Sequence, residues 1–328
     1  MATETRDIAR DSRADRLTGP SLVQWLLIAG GLALAVAAPF VLYPVFLMKL
    51  LCFALFACAF NLLIGYVGLL SFGHAAFFGG AAYVTAHAVK VWGVTPEIGI
   101  LLGTAAAAFM GLAFGFVAIR RQGIYFAMVT LALAQMMYFV FLQAPFTGGE
   151  DGIQAVPRGE LLGLISLSDP LSMYFFVLAI FLAGFWLIYR IIHSPFGQVL
   201  KAIRENEARA VSLGYKVDQY KLAAFVMSAT LAGLAGATKS LVFQLASLTD
   251  VQWQMSGEVV LMTLLGGMGT IFGPVVGAFL VVSLQNFLAT SALPVTVVTG
   301  AIFVVCVLVF RRGIVGEIAH RLAGGKRG

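Results

Sequence analysis

Charge is scarce in this chain, and cysteine is scarcer. Of 328 residues only 11% are Asp, Glu, Lys or Arg, against roughly 25% in ordinary soluble domains, which argues against a soluble enzyme. The three cysteines, Cys52, Cys58 and Cys306, all lie inside apolar runs, with no CxxC pair or Cys/His cluster beside them. Disulfide and metal chemistry therefore have no support in the sequence. Also missing is a Lys-Ser or Lys-Thr after the glycines of "GGMGTIFG" (266–273), so this is no phosphate loop and the chain has no ATP-binding motif of its own. No nucleophile and base are paired within the apolar stretches, which leaves an intramembrane enzyme without catalytic residues.

What is present is hydrophobicity: 60% of the residues are apolar or aromatic and the mean hydropathy is +0.95. The chain offers many runs of the ~20 apolar residues that a spanning helix needs. The alternating ten-residue pattern of a membrane barrel is not seen. The expected fold is all-α, a polytopic membrane protein with spans at 22–43, 45–65, 72–91, 98–119, 123–143, 172–192 and 221–244. A broken apolar region at 256–290 and a last span at 294–310 follow. Ten crossings result if 256–290 crosses twice, through a short or kinked pair around "GGMGTIFGP"; eight would require another assignment to be wrong. The expected organisation is an N-terminal tail (1–20), a transmembrane domain (21–311) and a basic C-terminal tail (312–328). An inner loop at 193–219 and an outer loop at 144–171 interrupt the domain. "LALAVAAP" (32–39) has the small-x-small pattern of a cleavable signal, but four acids mixed with the preceding arginines favour an uncleaved first span.

The net charge of +6 is topological and does not point to nucleic acid. Seventeen of the 21 basic residues fall in the N-terminal tail, at Arg120 and Arg121, between Arg190 and Lys221, or at and beyond Arg311. All of these can share one side, and by the positive-inside rule that side is the cytoplasm, with both termini on it. The outer loop 144–171 carries four acids (Glu150, Asp151, Glu160, Asp169) and one base, Arg158.

Glycines four apart (Gly99/Gly103, Gly111/Gly115, Gly269/Gly273/Gly277) are expected to let helices pack closely in lipid. The two most glycine-interrupted stretches, 65–83 and 264–280, lie in opposite halves of the chain. Transporters build pathways from such broken segments. Lys49, Lys90, Lys239 and Glu258 fall near the outer ends of their spans and are expected to snorkel, which would leave no buried ion pair for a proton-coupled carrier. His74 is the deepest ionisable residue and is expected to be neutral, hydrogen-bonded and structural. Asn61, Ser71, His74, Tyr125, Thr130 and Gln135 are the candidates for lining a pathway, although each could hydrogen-bond between helices instead.

The most polar stretch of the folded part is "KAIRENEARAVSLGYK" (201–216). Pro195 cannot continue the helix before it, and Gly214 suits a helix stop. Lys201/Glu205 and Glu205/Arg209 are four apart and could pair along one face. Asp218 is placed to cap the next span. A short amphipathic helix on the inner side is expected.

"GQVLKAIRENEARAVSLGYKVDQYKLAAF" (197–225) resembles the cytoplasmic signature of permease subunits of branched-chain amino-acid ABC importers, of the LivM type. "NLLIGYVGLLSFGHAAFFGGAAY" (61–83), "GIYFAMVTLALAQ" (123–135), "TGGEDGI" (147–153), "AGLAGA" (232–237) and "LLGGMGTIFGPVVGA" (264–278) agree in order. The pattern departs from the family at Gln198 and Arg311. The resemblance implies an ABC importer permease fold in a bacterial inner membrane. Its implied partners are a second homologous permease, two ATPase subunits that bind the ATP and magnesium, and a periplasmic or lipid-anchored substrate-binding protein. It also implies that the loop helix couples to an ATPase through Ala202, Arg204, Glu205, Glu207 and Gly214. Glu207→Lys is then expected to uncouple transport while leaving the chain inserted and stable. Glu150 and Asp151 could contact the binding protein or form a simple turn. Relatives of this kind carry branched-chain and other amino acids, urea or short amides. The alternative from another class is a stand-alone ion-coupled carrier.

Overall fold

The computed structural model describes residues 30–288 except 32, 162 and 164, together with positions 298, 300, 301, 304, 313–315 and 317. The expected span at 294–310 and both tails lie wholly or largely outside the described residues, and of the expected span 22–43 residues 30, 31 and 33–43 are described. The chain divides into two compact units, Met1–Leu47 and Met48–Gly328. In the first, helical residues at 33–37 lead into a 3-10 turn, Ala38–Phe40, closed by Val41 N–H donating to the Ala38 carbonyl at 3.1 Å.

Ten helices follow. They are α1 (Pro44–Tyr66, entering the second unit at Met48), α2 (His74–Lys90), α3 (Pro96–Ala118), α4 (Ile124–Gln143), α5 (Pro170–His193), α6 (Pro195–Glu205), α7 (Glu207–Ser212), α8 (Val217–Phe243), α9 (Trp253–Gly266) and α10 (Gly273–Leu288). Local chemistry sets several boundaries. Prolines open α3, α5 and α6 at the first helical position, where their missing N–H costs nothing. Asp169 caps α5 by accepting from Ser172 N–H at 3.0 Å. Helices α1, α3, α4, α5 and α8 are long and apolar enough to cross a membrane. The 17, 14 and 16 residues of α2, α9 and α10 rise about 26, 21 and 24 Å, less than the ~30 Å hydrocarbon core. The described part of the 256–290 region, to Leu288, is thus a pair of short helices, as the sequence suggests, and 67–73 is a second interruption, in the glycine-rich stretch 65–83 between the expected spans 45–65 and 72–91.

The core is built where backbones touch. Helix α1 is apolar on all sides and buried over most of its length. Around α2, glycines seat α3 and α8. A methyl on Gly103 would meet the Ala81 carbonyl at 2.6 Å, one on Gly111 would meet the Ala229 side chain at 2.5 Å, and one on Gly236 would collide with the Phe78 carbonyl. Gly99 and Gly115 are equally closed in. Gly273 and Gly277 press α10 against the backbone of α9. Gly269 departs from the packing role expected of it, because its φ of +74° places it in the α9–α10 turn.

The loops sort to two ends. At one, the turns 119–123, 193–216 and 267–272 come together, with the basic residues Arg120, Arg121, Arg204 and Arg209. At the other, the all-helical expectation is relaxed by four two-residue strands. β1 (Ile153–Gln154) pairs antiparallel with β4 (Leu245–Ala246), and β2 (Glu160–Leu161) with β3 (Ile165–Ser166). Lys90 Nζ donates to the Gln154 carbonyl at 2.7 Å and Arg158 to the Val242 carbonyl at 2.8 Å, fastening the 144–169 loop to α2 and α8.

The glycine contacts make a prediction. Gly236→Ala should cost about 3 kcal/mol, the upper end of overpacking penalties, because the new methyl meets backbone and not a movable side chain. Gly257→Ala, with open space around it, should be neutral. Thermal unfolding of the two purified variants checks this, and equal midpoints would contradict the packing argument.

Candidate functional site

The polar loop is two helices, not one. Ser194 caps α6 by accepting from Gly197 N–H at 3.3 Å, with Pro195 in the first turn. Asn206 then takes an extended conformation (φ −157°, ψ 98°) and its side chain caps α7 through Arg209 N–H at 3.0 Å. The break puts Glu205 and Arg209 on different helices, and Lys201 stands over the Tyr66 ring at 5.8 Å. Asp218 is not the cap of α8; Lys216 holds that position, and Asp218 sits in the first turn, where its charge favours the helix dipole. Gly214, at φ +88°, makes the stop that the sequence anticipates. Ile203, Ala210 and Val217 form a small buried cluster with Val199 and Tyr220 against it, while Ala202, Glu205, Ala208 and Arg209 are exposed. The loop therefore buries Ile203, Ala210 and Val217 against the protein and turns charged residues outward, together with the exposed Val211, Leu213 and Tyr215.

Two charged residues tie this loop inward. Arg204 donates through Nη1 to the Gly65 carbonyl in the last turn of α1. Glu207 accepts from Lys221 Nζ at 2.6 Å and from Gln122 Nε2 at 2.8 Å, so it joins α7 to α8 and to the α3–α4 turn. Lys221 is buried, its side chain only 3% exposed. The expectation that Glu207→Lys leaves the chain stable is therefore revised, because that substitution places a second cation beside a buried one.

The pathway candidates divide. Asn61 donates from Nδ2 to the Thr270 carbonyl and accepts from Gly269 N–H, both at 2.9 Å, and so holds the α9–α10 turn. Thr130 Oγ1 accepts from Phe72 N–H at 3.1 Å, and Ser71 Oγ accepts from Gly73 N–H at 3.1 Å. His74 is fully buried; its Nε2 shares a 2.8 Å hydrogen bond with Ser228 Oγ, which donates to the Ala59 carbonyl at 2.5 Å. The rings of Phe60, Phe77 and Phe225 surround it. These four residues brace interrupted helices. Gln135 is half-buried and Tyr125 is exposed on α4, apart from that group. Sequence reasoning missed Ser256, whose hydroxyl accepts from Ala75 N–H at 2.9 Å and donates to the Phe72 carbonyl at 2.8 Å. A single serine in an apolar run gives no signal by which to find it.

At the opposite end, "TGGEDGI" forms two 3-10 turns, Pro145–Thr147 and Gly149–Asp151, with Glu150 and Asp151 exposed. The expectation that Lys239 snorkels is overturned. Its Nζ lies 2.6 Å from both carboxylate oxygens of Asp250, with side chains 11% and 3% exposed. A buried ion pair thus exists where none was expected, because the acid sits eleven residues on, beyond the end of α8. Lys90 reaches the 144–169 loop. Glu258 and Lys49 are half-buried; Glu258 accepts from Gln285 at 3.3 Å, and Lys49 lies within Coulombic range of it.

Both ion pairs can be tested through stability. Glu207→Lys should cost about 2–3 kcal/mol, less than the ~3–5 of a fully buried pair because Glu207 stays part-exposed. Glu207→Gln, which can still accept from Lys221, should cost about half of that. Asp250→Ala should cost about 3–5 kcal/mol by stranding Lys239, and the double variant Lys239→Met/Asp250→Leu should recover most of it. Chemical unfolding of the purified variants reads both; wild-type stability in Asp250→Ala would show that the pair contributes nothing.

Comparison with known proteins bears on what such a loop and such helix breaks serve. Residues 42–310 match the family described as branched-chain amino acid transport system / permease component. The high-affinity branched-chain amino acid transport system permease protein LivM of Escherichia coli (strain K12) is 29% identical over 297 residues, 81% of this chain and 69% of the relative. The autoinducer 2 import system permease protein LsrC of Klebsiella pneumoniae subsp. pneumoniae is 31% identical over 207 residues, 59% of this chain and 55% of the relative. The ribose import permease protein RbsC of Bacillus subtilis (strain 168) is 28% identical over 239 residues, 68% and 70% of the two chains. No solved structure matches. A match that runs from residue 42 to residue 310 takes in all ten helices, α1 to α10; the chain belongs to the branched-chain amino acid transport system permease family of ABC transporters.

Proposed function

We propose that this chain is the permease subunit of an ATP-driven importer for branched-chain or related amino acids in a bacterial inner membrane. The supporting observation is the α6–α7 loop: two capped helices with Ile203, Ala210 and Val217 buried and a mixed outer face of charged residues with Val211, Leu213 and Tyr215 exposed, on the end of the protein that carries most of the loop arginines. That end faces the cytoplasm in this reading, by the positive-inside rule. Ala202, Glu205 and Gly214 then meet an ATPase subunit, Glu207 anchors the loop, and Glu150 and Asp151 on the outer side meet a substrate-binding protein. A second permease completes the pathway, and ATP and magnesium are held by the ATPase partners. Ten crossings fit this arrangement, since two further spans at 22–43 and 294–310 put both termini inside. Branched-chain amino acids are favoured over a sugar because the match to LivM extends over more of the chain than those to LsrC and RbsC. Urea or short amides remain the alternative cargo.

The buried Lys239–Asp250 pair favours one other reading, a carrier driven by an ion gradient, since coupled carriers use buried charges. Its geometry argues for a clasp. The two residues lie eleven apart in one chain segment and lock the end of α8 to the turn after it.

Purification of the tagged chain in mild detergent should bring down a second permease and one or two ATPases. Uptake into vesicles should fall to background without ATP and persist when ion gradients are collapsed. Recovery of the chain alone, with uptake that follows an ion gradient, would hand the function to the carrier.

A further inference from the structure

We propose that Arg204 is the positioning residue that carries motion of the α6–α7 loop to both helix interruptions at once. The inference rests on the reading of the chain as an ATPase-driven permease and deepens it. The Gly65 carbonyl belongs to the last turn of α1, where helix carbonyls have no partner within the helix; Arg204 supplies one, a cation at a helix C-terminus. The α9–α10 turn closes on the same point. A methyl on Gly65 would meet Gly269 N at 2.7 Å, and one on Gly269 would lie 3.1 Å from Arg204 Nη1. The first interruption begins there too, since a methyl on Gly68 would lie 3.2 Å from Arg204 Cγ. One side chain from the loop therefore bonds the end of α1 and lies beside Gly68, at the start of the 67–73 stretch, and Gly269, in the 267–272 turn. Glycine is required at the last two places, with φ +83° at Gly68 and +74° at Gly269, and it leaves a surface against which a guanidinium can lie. Glu207 acts elsewhere, holding α7 to the frame through Lys221 and Gln122. Displacement of α6 withdraws Arg204 from all three places together, whereas Asn61 keeps the turn folded on α1.

The test uses hydrogen exchange on the purified full chain and, separately, ATP hydrolysed per substrate imported by the reconstituted complex. Arg204→Ala should raise exchange in 65–73 and 267–272 about tenfold, the loss of one charge-assisted hydrogen bond, with 153–166 unchanged. Arg204→Lys, which keeps the charge but not the planar fork, should fall between. The complex carrying Arg204→Ala should hydrolyse several times more ATP per molecule imported. Unaltered exchange overturns the proposal, and so does a rise that extends to 153–166, which would mean general loosening. A local rise with an unchanged ATP ratio also overturns it, by leaving a clamp that transmits nothing. If no ATPase binds the chain, the functional reading fails, and the exchange result still decides whether Arg204 holds the two interruptions.

Discussion

In hydrocarbon an unpaired peptide group costs several kcal/mol, and non-helical backbone survives at membrane depth only where protein satisfies it. That constraint organises this molecule. The 67–73 stretch keeps its bonds through Ser71, Thr130 and Ser256, and the 267–272 turn through Asn61 and Thr270. The hydroxyls and the amide that looked like pathway lining are committed to closing these breaks. Tight glycine packing of α2 against α3 and α8 then holds the helices close enough for such short side chains to reach.

The breaks explain why the loop is anchored as it is. A permanently satisfied interruption would be inert, but the Gly65 carbonyl is satisfied from outside the transmembrane helices, by a residue on α6. The side-chain bonds that Asn61, Thr130 and Ser256 make to the two breaks come from within the helical bundle. One bond of the set is thus exposed to whatever moves the loop, and the others are insulated from it.

Much of this was legible in the sequence and some was not, for identifiable reasons. Pro195, Gly214 and the charge pattern announced the loop helices, and the glycine spacings announced the close packing. The split at Asn206 was readable in principle, as an Asn followed by Glu-Ala-Arg, but a continuous i, i+4 charge pattern disguised it. Asn61, Ser71, His74 and Thr130 were found as polar residues in apolar runs. Their sequence signature is the same whether they line a pathway or brace a backbone, and only the partner across space decides. The Lys239–Asp250 pair was hidden because its members lie on either side of a helix end, outside any helical periodicity.

Helix α8 has a property that its sequence does not advertise. It rises about 40 Å over 27 residues, and both of its ends are gripped. Lys221 holds the loop acid at one end, while Lys239, the Val242 carbonyl and the β4 strand that follows hold the opposite face of the protein. A hydrogen-bonded helix hardly stretches along its axis. The rod therefore ties the two faces together at a fixed spacing along that line.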